Sequence, residues 1–349
     1  MFFRPLRRSR PSSIQNAISL ARRSLNHTAA FPTIPKCPAA TCRCSATPEM
    51  PEGLPIDYSK PLNGTMAGYS EQVLVCTGQN DWVSRIEEEN SGDNLAADIK
   101  ELMGRGGVYS DPYNNVSVLN ASFPSSVPSR QEIQNTSAYL LPSFKYVPFL
   151  PRVSFSSVQA LVQGFLLPTE LHPAHDALSP IHRDRLSRSI EQQSFLYGVQ
   201  DVKDVLVLIC GHGGRDARCG IYGPLLQAEF ETILPTKDFE VLKAPIEVLS
   251  PQQDNLLPGG IQESAKTARV GLISHIGGHN FAGNVIVYIP PGARSANGKP
   301  HALAGCGIWY GRIEPKHVEG IVQETILEGK VIEENFRGGI RQGGEILRL

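Results

Sequence analysis

The chain has 349 residues, and its 33 Lys and Arg against 34 Asp and Glu give a formal net charge of −1. Its content of 41% hydrophobic and 19% charged residues is ordinary for a globular protein, which excludes wholesale disorder. The sequence contains no apolar run of about 18 residues, so we predict no transmembrane helix and no stable membrane insertion. Seven cysteines are too few for a disulfide scaffold, and their odd number leaves at least one for another role.

The balanced charge hides a basic amino terminus. Residues 1–49 contain eight Lys or Arg and a single acid, Glu49. The first 30 residues are rich in Arg and Ser and carry apolar residues at helical spacing: Ile14, Ala17, Ile18, Ala21 and Leu25. We therefore predict that residues 1–35 are a mitochondrial presequence, for the matrix or the intermembrane space. A basic tail or a nucleic-acid arm is the alternative, but the acidic remainder of the chain argues against nucleic-acid binding.

Beyond the presequence, patterns of strand and helix alternate along the chain. Residues 36–57 predict a Cys- and Pro-rich linker, 58–195 an N-terminal α/β domain and 196–349 a second domain. The predicted strands are Glu71–Gly78, Asn115–Phe123, Asp204–Ile209, Ile246–Ser250, Val270–His275, Asn284–Ile289 and Gly307–Ile313. The predicted helices are Asp81–Glu89, Asp93–Gly104, Ser157–Leu167, Gly223–Leu234 and His317–Gly329. We expect an α/β fold.

Two pairs of metal-ligating residue types follow predicted core strands. Cys210 ends the strand Asp204–Ile209, and Cys219 follows after a glycine-rich loop of eight residues. His275 and His279 lie in the segment HIGGH at the end of another strand, where two glycines allow a tight turn. Two thiolates and two imidazoles form a donor set that fits zinc or an iron–sulfur centre. The wide spacing of the cysteines favours the larger iron–sulfur cluster, although ligand type alone leaves both metals open.

Two arginines and a third histidine lie close in sequence to these four residues. Arg215, Arg218 and the following helix N-terminus are expected to lower the thiol pKa values. His212 lies inside the first loop, and we predict a solvent-facing residue, with a fifth ligand or a proton carrier as alternatives.

The remaining cysteines lie outside the ligand loops: Cys37, Cys42, Cys44, Cys76 and Cys306. The first three are equally consistent with a redox-active tail and with inert linker thiols. Cys76 and Cys306 are predicted to be structural.

The segments that carry the chemistry resemble one family. They are CGHGGRDARCG, SHIGGHNFAGNVIVY, WYGRIEP, HVEGIV, GKVI and FRGG. They are similar to the sucrase/ferredoxin-like family of fungi and plants, and the resemblance covers about residues 45–349. It implies a thioredoxin-like ferredoxin as the C-terminal domain, packed with an N-terminal α/β domain for which a thioredoxin-like fold is one alternative. It further implies a 2Fe–2S cluster with Cys210 and Cys219 as thiolate ligands and His275 and His279 as imidazole ligands.

These observations predict a mitochondrial 2Fe–2S protein with Cys2His2 ligation, acting in electron transfer or in redox sensing or quality control, rather than a stand-alone enzyme. A structural zinc protein with the same four ligands is one alternative. A thiol–disulfide redox factor that uses the N-terminal cysteines is another. No dinucleotide fingerprint is evident in the sequence, so we expect a redox partner protein, either a reductase or an acceptor.

Overall fold

A computed structural model describes residues 31–41, 43–89, 94–126, 135–247, 266–295 and 297–349. The strands in these ranges are β1 (Thr33–Ile34), β2 (Glu71–Cys76), β3 (Val116–Ala121), β4 (Asn135–Leu141), β5 (Lys145–Pro151), β6 (Gln200–Asp201), β7 (Val205–Cys210), β8 (Phe239–Val241), β9 (Lys266–Ile273), β10 (Val285–Ile289), β11 (Cys306–Tyr310), β12 (Val331–Ile332), β13 (Phe336–Arg341) and β14 (Ile346–Leu347). The α-helices are α1 (Leu95–Met103), α2 (Ser156–Leu161), α3 (Pro180–Leu186), α4 (Ala217–Ile233) and α5 (Pro315–Gly320). Helices α2 and α5 continue as π-helical turns over Val162–Leu166 and Ile321–Leu327.

One large mixed sheet runs through both halves of the chain. Its strand order is β14-β13-β11-β10-β7-β9-β3-β2-β4-β5-β6, and β8 also pairs with β9. The two halves meet where β3 pairs with β9, through Ala121 and Ile273. Helices pack against this sheet, so the predicted α/β class is confirmed.

The strands at the centre of the second half of the chain, β7 and β9, determine where the candidate functional site lies. All six residues of β7 are buried, as expected for a continuous apolar strand that is covered on both faces. Strand β7 runs parallel to β9, with Cys210 opposite Ile273. Parallel strands end at the same edge of a sheet, so the loops that follow Cys210 and Ile273 are brought together there.

Several elements differ from the sequence prediction. The predicted helix Asp81–Glu89 is only a 3-10 turn at Ile86–Glu88, and α4 begins at Ala217 rather than Gly223. The hairpin of β4 and β5 was not predicted, because its prolines obscure the alternation of apolar residues. For the predicted strand Ile246–Ser250, residues 248–250 lie outside the described ranges and residues 246 and 247 are not in a strand.

The segment before residue 58 docks on the second half of the chain. Phe31 is buried with its ring centroid 5.8 Å from that of Phe336, and β1 pairs in parallel with β12. Five glutamates accept hydrogen bonds from this segment: Glu229, Glu314, Glu319, Glu333 and Glu334. Burial, reinforced by the nearby Glu334, raises the pKa of Cys37 to about 12. The Cys37 thiol is therefore unreactive at neutral pH, whereas Cys42 lies outside the described residues.

Candidate thiol and imidazole site

Cys210 and Cys219 meet at the carboxyl end of β7. Cys210 is its last residue, and Cys219 lies in the first turn of α4, whose N-cap Asp216 accepts from the Arg218 backbone N–H. The helix approaches the loop closely because glycines face each other there. A Cβ on Gly223 would lie 2.5 Å from the Cα of Gly211. The two thiols are free and nearly inaccessible, with 2% and 1% of their residues exposed.

The surroundings of the two thiols shift their pKa values in opposite directions. Interaction with Cys219 holds the pKa of Cys210 well below its ordinary value, although burial acts in the opposite direction. His275 acts on Cys210 in the same direction as Cys219. Interaction with Cys210, together with burial, raises the pKa of Cys219 above its ordinary value. Of the two, Cys210 is therefore the one that more readily forms a thiolate.

The two histidines stand beside the thiol pair. Gly277 and Gly278 both have positive φ, at 77° and 73°, and turn the chain between the histidines. The ring centroids of His275 and His279 are 5.2 Å apart. Both Nδ1 atoms are buried, and neither has a hydrogen-bond partner in the part of the chain that the structure describes. Burial lowers the pKa of His279, so its ring is neutral at neutral pH.

The most deeply buried cation of the site is Arg337, which lies outside the first loop. Its Nη1 donates to Asn284 Oδ1 at 2.7 Å and to the Gly277 carbonyl at 3.2 Å. Its Nε and Nη2 donate to the hydroxyl and the carbonyl of Thr65 at 3.1 and 3.2 Å. Burial lowers the pKa of Arg337 to about 10, while the charge of the nearby Cys210 counteracts this shift. The guanidinium remains charged at neutral pH and stabilises the Cys210 thiolate.

Of the two predicted arginines, Arg218 acts on the thiol pair, because its charge lowers the pKa of Cys219, although Cys210 and burial outweigh this effect. Arg218 forms an ion pair with Asp216 at 2.9 Å and binds the carbonyl of Pro55. Arg215 donates to Ser84. Sequence reasoning included Arg337 only as part of the segment FRGG, and that segment is the signal that could have identified it.

His212 connects the site to the first half of the chain. It is 1% exposed, so the prediction of a solvent-facing residue is wrong. Its Nδ1 accepts from the backbone N–H of His275 at 3.0 Å. Its Nε2 lies 3.0 and 2.9 Å from the carbonyl oxygens of Trp82 and Val83 and therefore carries the proton. Both nitrogens are engaged, which leaves neither free to bind a metal.

The segment 81–84 of the first half also packs over the loop that follows Cys210. Both carboxylate oxygens of Asp81 accept from the backbone N–H of Gly214 at 3.0 Å. The Trp82 ring meets the His212 ring edge-on, with centroids 5.9 Å apart. The first half of the chain therefore holds the loop that follows Cys210 in place.

We expect His212→Ala to lower the free energy of unfolding by about 2–4 kcal/mol, because it leaves buried backbone groups without partners. His212→Asn keeps an acceptor near the His275 N–H and should cost less. His182→Ala is the control, since His182 is exposed on α3. Denaturant unfolding measures all three, and equal midpoints for His212→Ala and His182→Ala would contradict the bridging role.

The function predicted from the sequence requires correction. Within the described ranges, no group of three or more His, Cys, Asp or Glu side chains is arranged to hold a metal ion. The two buried cysteines interact with each other, and the two histidines beside them do not converge with them into one donor set. The prediction of a Cys2His2 cluster protein for electron transfer or redox sensing is therefore wrong, as is the alternative of a structural zinc site. The other alternative, a thiol–disulfide redox factor that uses the N-terminal cysteines, is not supported by Cys37, whose pKa burial raises.

The fold and the site define an α/β protein with a buried thiol pair, and comparison with known proteins identifies its family. The model of the family described as "Sucrase/ferredoxin-like" matches residues 62–338. The chain belongs to this family, which confirms the resemblance found in the sequence. No solved structure matches the chain.

The similar curated proteins are named altered inheritance of mitochondria protein 32. The protein of Debaryomyces hansenii is 29% identical over 331 residues, covering 93% of this chain and all of the relative. That of Meyerozyma guilliermondii is 29% identical over 304 residues, covering 85% and 90%. A Saccharomyces cerevisiae relative is 35% identical over 133 residues, covering 38% and 32%. These names confirm the predicted mitochondrial localisation. In the described part of the chain, no helix has the length and apolarity needed to span a membrane.

Proposed function

We propose that the chain is a mitochondrial thiol-based redox protein whose working group is the Cys210–Cys219 pair. The observation that carries the proposal is that two buried, free cysteines lie together at the carboxyl end of β7, Cys210 as its last residue and Cys219 in the first turn of α4. Thiol–disulfide exchange needs one thiolate to attack and a second thiol close enough to resolve the product. The pair supplies both, with Arg337 and His275 stabilising the attacking sulfur.

The proposed chemistry is a two-step exchange. The Cys210 thiolate attacks one sulfur of a substrate disulfide, forming a mixed disulfide and releasing the other sulfur as a thiolate. Cys219 then loses its proton to that leaving thiolate and attacks the Cys210 sulfur. This step releases the second substrate thiolate and leaves a Cys210–Cys219 disulfide. The substrate gains two electrons, which the thiol pair has lost.

Burial restricts which substrate can reach the pair. Both cysteines are almost fully covered, and Asp81 and Trp82 lie over the adjoining loop. We therefore propose a small disulfide rather than one on a flat protein surface. A reductase must return the pair to its reduced form, and this reductase is the partner protein that the proposal requires.

The unpartnered Nδ1 atoms of His275 and His279 favour a second candidate, in which the site binds a cofactor. The family description includes ferredoxins, and an iron–sulfur group, in its specific form a 2Fe–2S cluster, is the cofactor that it suggests. Two thiols and two imidazoles are a chemically suitable donor set. In this candidate the cofactor-binding residues would be Cys210, Cys219, His275 and His279, and their side chains would have to move from the present arrangement, in which they form no metal-holding group. Such a group would supply one-electron chemistry.

One preparation distinguishes the two candidates. The full chain is purified without oxygen, analysed for iron and acid-labile sulfide, and then treated with a small disulfide such as oxidised glutathione. If the chain is a thiol redox protein, we expect the preparation to contain no iron or sulfide. After the treatment, tryptic mass spectrometry should find a peptide pair joined through Cys210 and Cys219. Stoichiometric iron and sulfide that protect both thiols from oxidation would contradict it and support the second.

Matched variants determine which thiols react. Cys210→Ser and Cys219→Ser should each abolish formation of the joined peptide pair. Cys76→Ser and Cys306→Ser serve as controls, because burial raises the pKa of both Cys76 and Cys306 and leaves them as thiols. Loss of the oxidised product in the control variants would assign the chemistry to other cysteines.

A further inference from the structure

A polar cavity of about 450 Å³ lies in the first half of the chain, away from the thiol pair. Its volume is in the range of small-molecule sites. Apolar side chains form one part of its wall: Phe165, Leu196 and Val199. Polar side chains form the other part: Ser143, Lys145, Arg188, Gln193 and Ser194. The cavity therefore combines an apolar wall with a cluster of donors.

The guanidinium of Arg188 is the donor available to a ligand. Its Nε donates to the Leu167 carbonyl at 2.7 Å, which orients the side chain. No described residue accepts a hydrogen bond from its two terminal nitrogens. The other polar groups are occupied: Gln193 donates to the Gly164 carbonyl, and Lys145 forms an ion pair with Asp201. Because an unpaired guanidinium in a half-buried cavity is costly, a bound anion would relieve it.

Glu71 lies behind this wall and does not neutralise Arg188 directly. Its carboxylate accepts from the hydroxyl and the backbone N–H of Ser143, at 2.6 and 3.2 Å. Glu71 and Arg188 are both in the described ranges, yet no ion pair within 4.0 Å joins them. Burial raises the pKa of Glu71 to about 7, so its negative charge is only partly developed at neutral pH. The cavity therefore retains a net attraction for anions.

We infer that this cavity binds a small organic carboxylate, with its anionic head on the terminal nitrogens of Arg188 and its apolar body against Phe165, Leu196 and Val199. A planar guanidinium binds a carboxylate through two parallel hydrogen bonds. The apolar wall favours a carboxylate with a hydrocarbon or aromatic body over a bare inorganic anion. This site is independent of the proposed function.

Calorimetric titration of the full chain with benzoate tests the inference, with benzyl alcohol and inorganic phosphate as comparisons. Benzoate should bind measurably, and both comparisons should bind at least about tenfold more weakly, since one lacks the charge and the other the apolar body. Arg188→Gln should weaken benzoate binding by about tenfold or more, because the charged head loses its paired donors. Arg185→Gln should leave binding unchanged, because Arg185 is exposed on α3.

Two further variants keep the test decisive. If Arg188→Gln fails to fold, Arg188→Lys retains the charge but loses the paired donors, and it should weaken benzoate binding several-fold. Glu71→Gln keeps the acceptor for Ser143 and removes a negative charge, so it should tighten binding. The inference is overturned if benzoate does not bind, if benzyl alcohol or phosphate binds as well, or if the Arg188 variants bind like the unmodified chain.

Discussion

Replacing Arg337 with leucine should lower the free energy of unfolding by about 3–5 kcal/mol, one of the largest effects of any single change at the site. Arg337 is 1% exposed and donates to Asn284, Gly277 and Thr65. Leucine would leave all of these buried acceptors unpaired. It would also remove the cation that stabilises the Cys210 thiolate, so the pKa of Cys210 should rise. Denaturant unfolding and thiolate absorbance measured against pH check the two effects.

A lysine and a distant arginine serve as controls for this experiment. Arg337→Lys keeps the charge but not the planar set of donors, so it should restore more of the thiolate than of the stability. Arg341→Leu removes an arginine from the exposed end of the same strand, where it pairs with Glu345, and should cost less than about 1 kcal/mol. If Arg337→Leu and Arg341→Leu lower the free energy of unfolding by similar amounts, burial of the Arg337 guanidinium does not increase its contribution to stability.

Replacing Gly223 with alanine should destabilise the chain by about 1–3 kcal/mol, although alanine ordinarily stabilises a helix relative to glycine. The added methyl group would lie 2.5 Å from the Cα of Gly211 and 3.2 Å from the Cys210 carbonyl. Helix α4 must then move away from the loop, carrying Cys219 away from Cys210. We expect slower disulfide formation between the two cysteines in oxidised glutathione, together with a lower unfolding midpoint.

Gly292→Ala is the matched control, because a Cβ at that position meets nothing within 4 Å. It should leave both the unfolding midpoint and the oxidation rate unchanged. If Gly223→Ala is as stable and as readily oxidised as Gly292→Ala, close approach of α4 is not what pairs the thiols.

The sequence was sufficient to predict the α/β class and the strand that ends at Cys210, because continuous apolar residues indicate a strand that is buried on both faces. It did not predict the β4–β5 hairpin, whose prolines interrupt the strand pattern. It also could not show that β1 pairs with β12, since a short proline-rich segment has the same extended pattern whether free or docked. The division into domains at residue 195 stays a prediction.

Part of the candidate site was also predictable from the sequence. Glycine-rich loops after two core strands correctly indicated that Cys210 and His275 lie at one edge of the sheet. The sequence did not reveal that these four side chains form no group that could hold a metal ion, since that depends on side-chain geometry. Arg337 and His212 act through contacts with residues far away in the chain, such as Thr65 and Trp82, which local patterns do not encode.

The most direct test of the proposed thiol pair is tryptic mass spectrometry of the anaerobically purified chain, before and after exposure to oxidised glutathione. We expect two free thiols before exposure and one peptide pair joined through Cys210 and Cys219 afterwards, in a protein without bound iron or sulfide. Recovery of both cysteines as free thiols after exposure, with iron and sulfide bound to the chain, would contradict it.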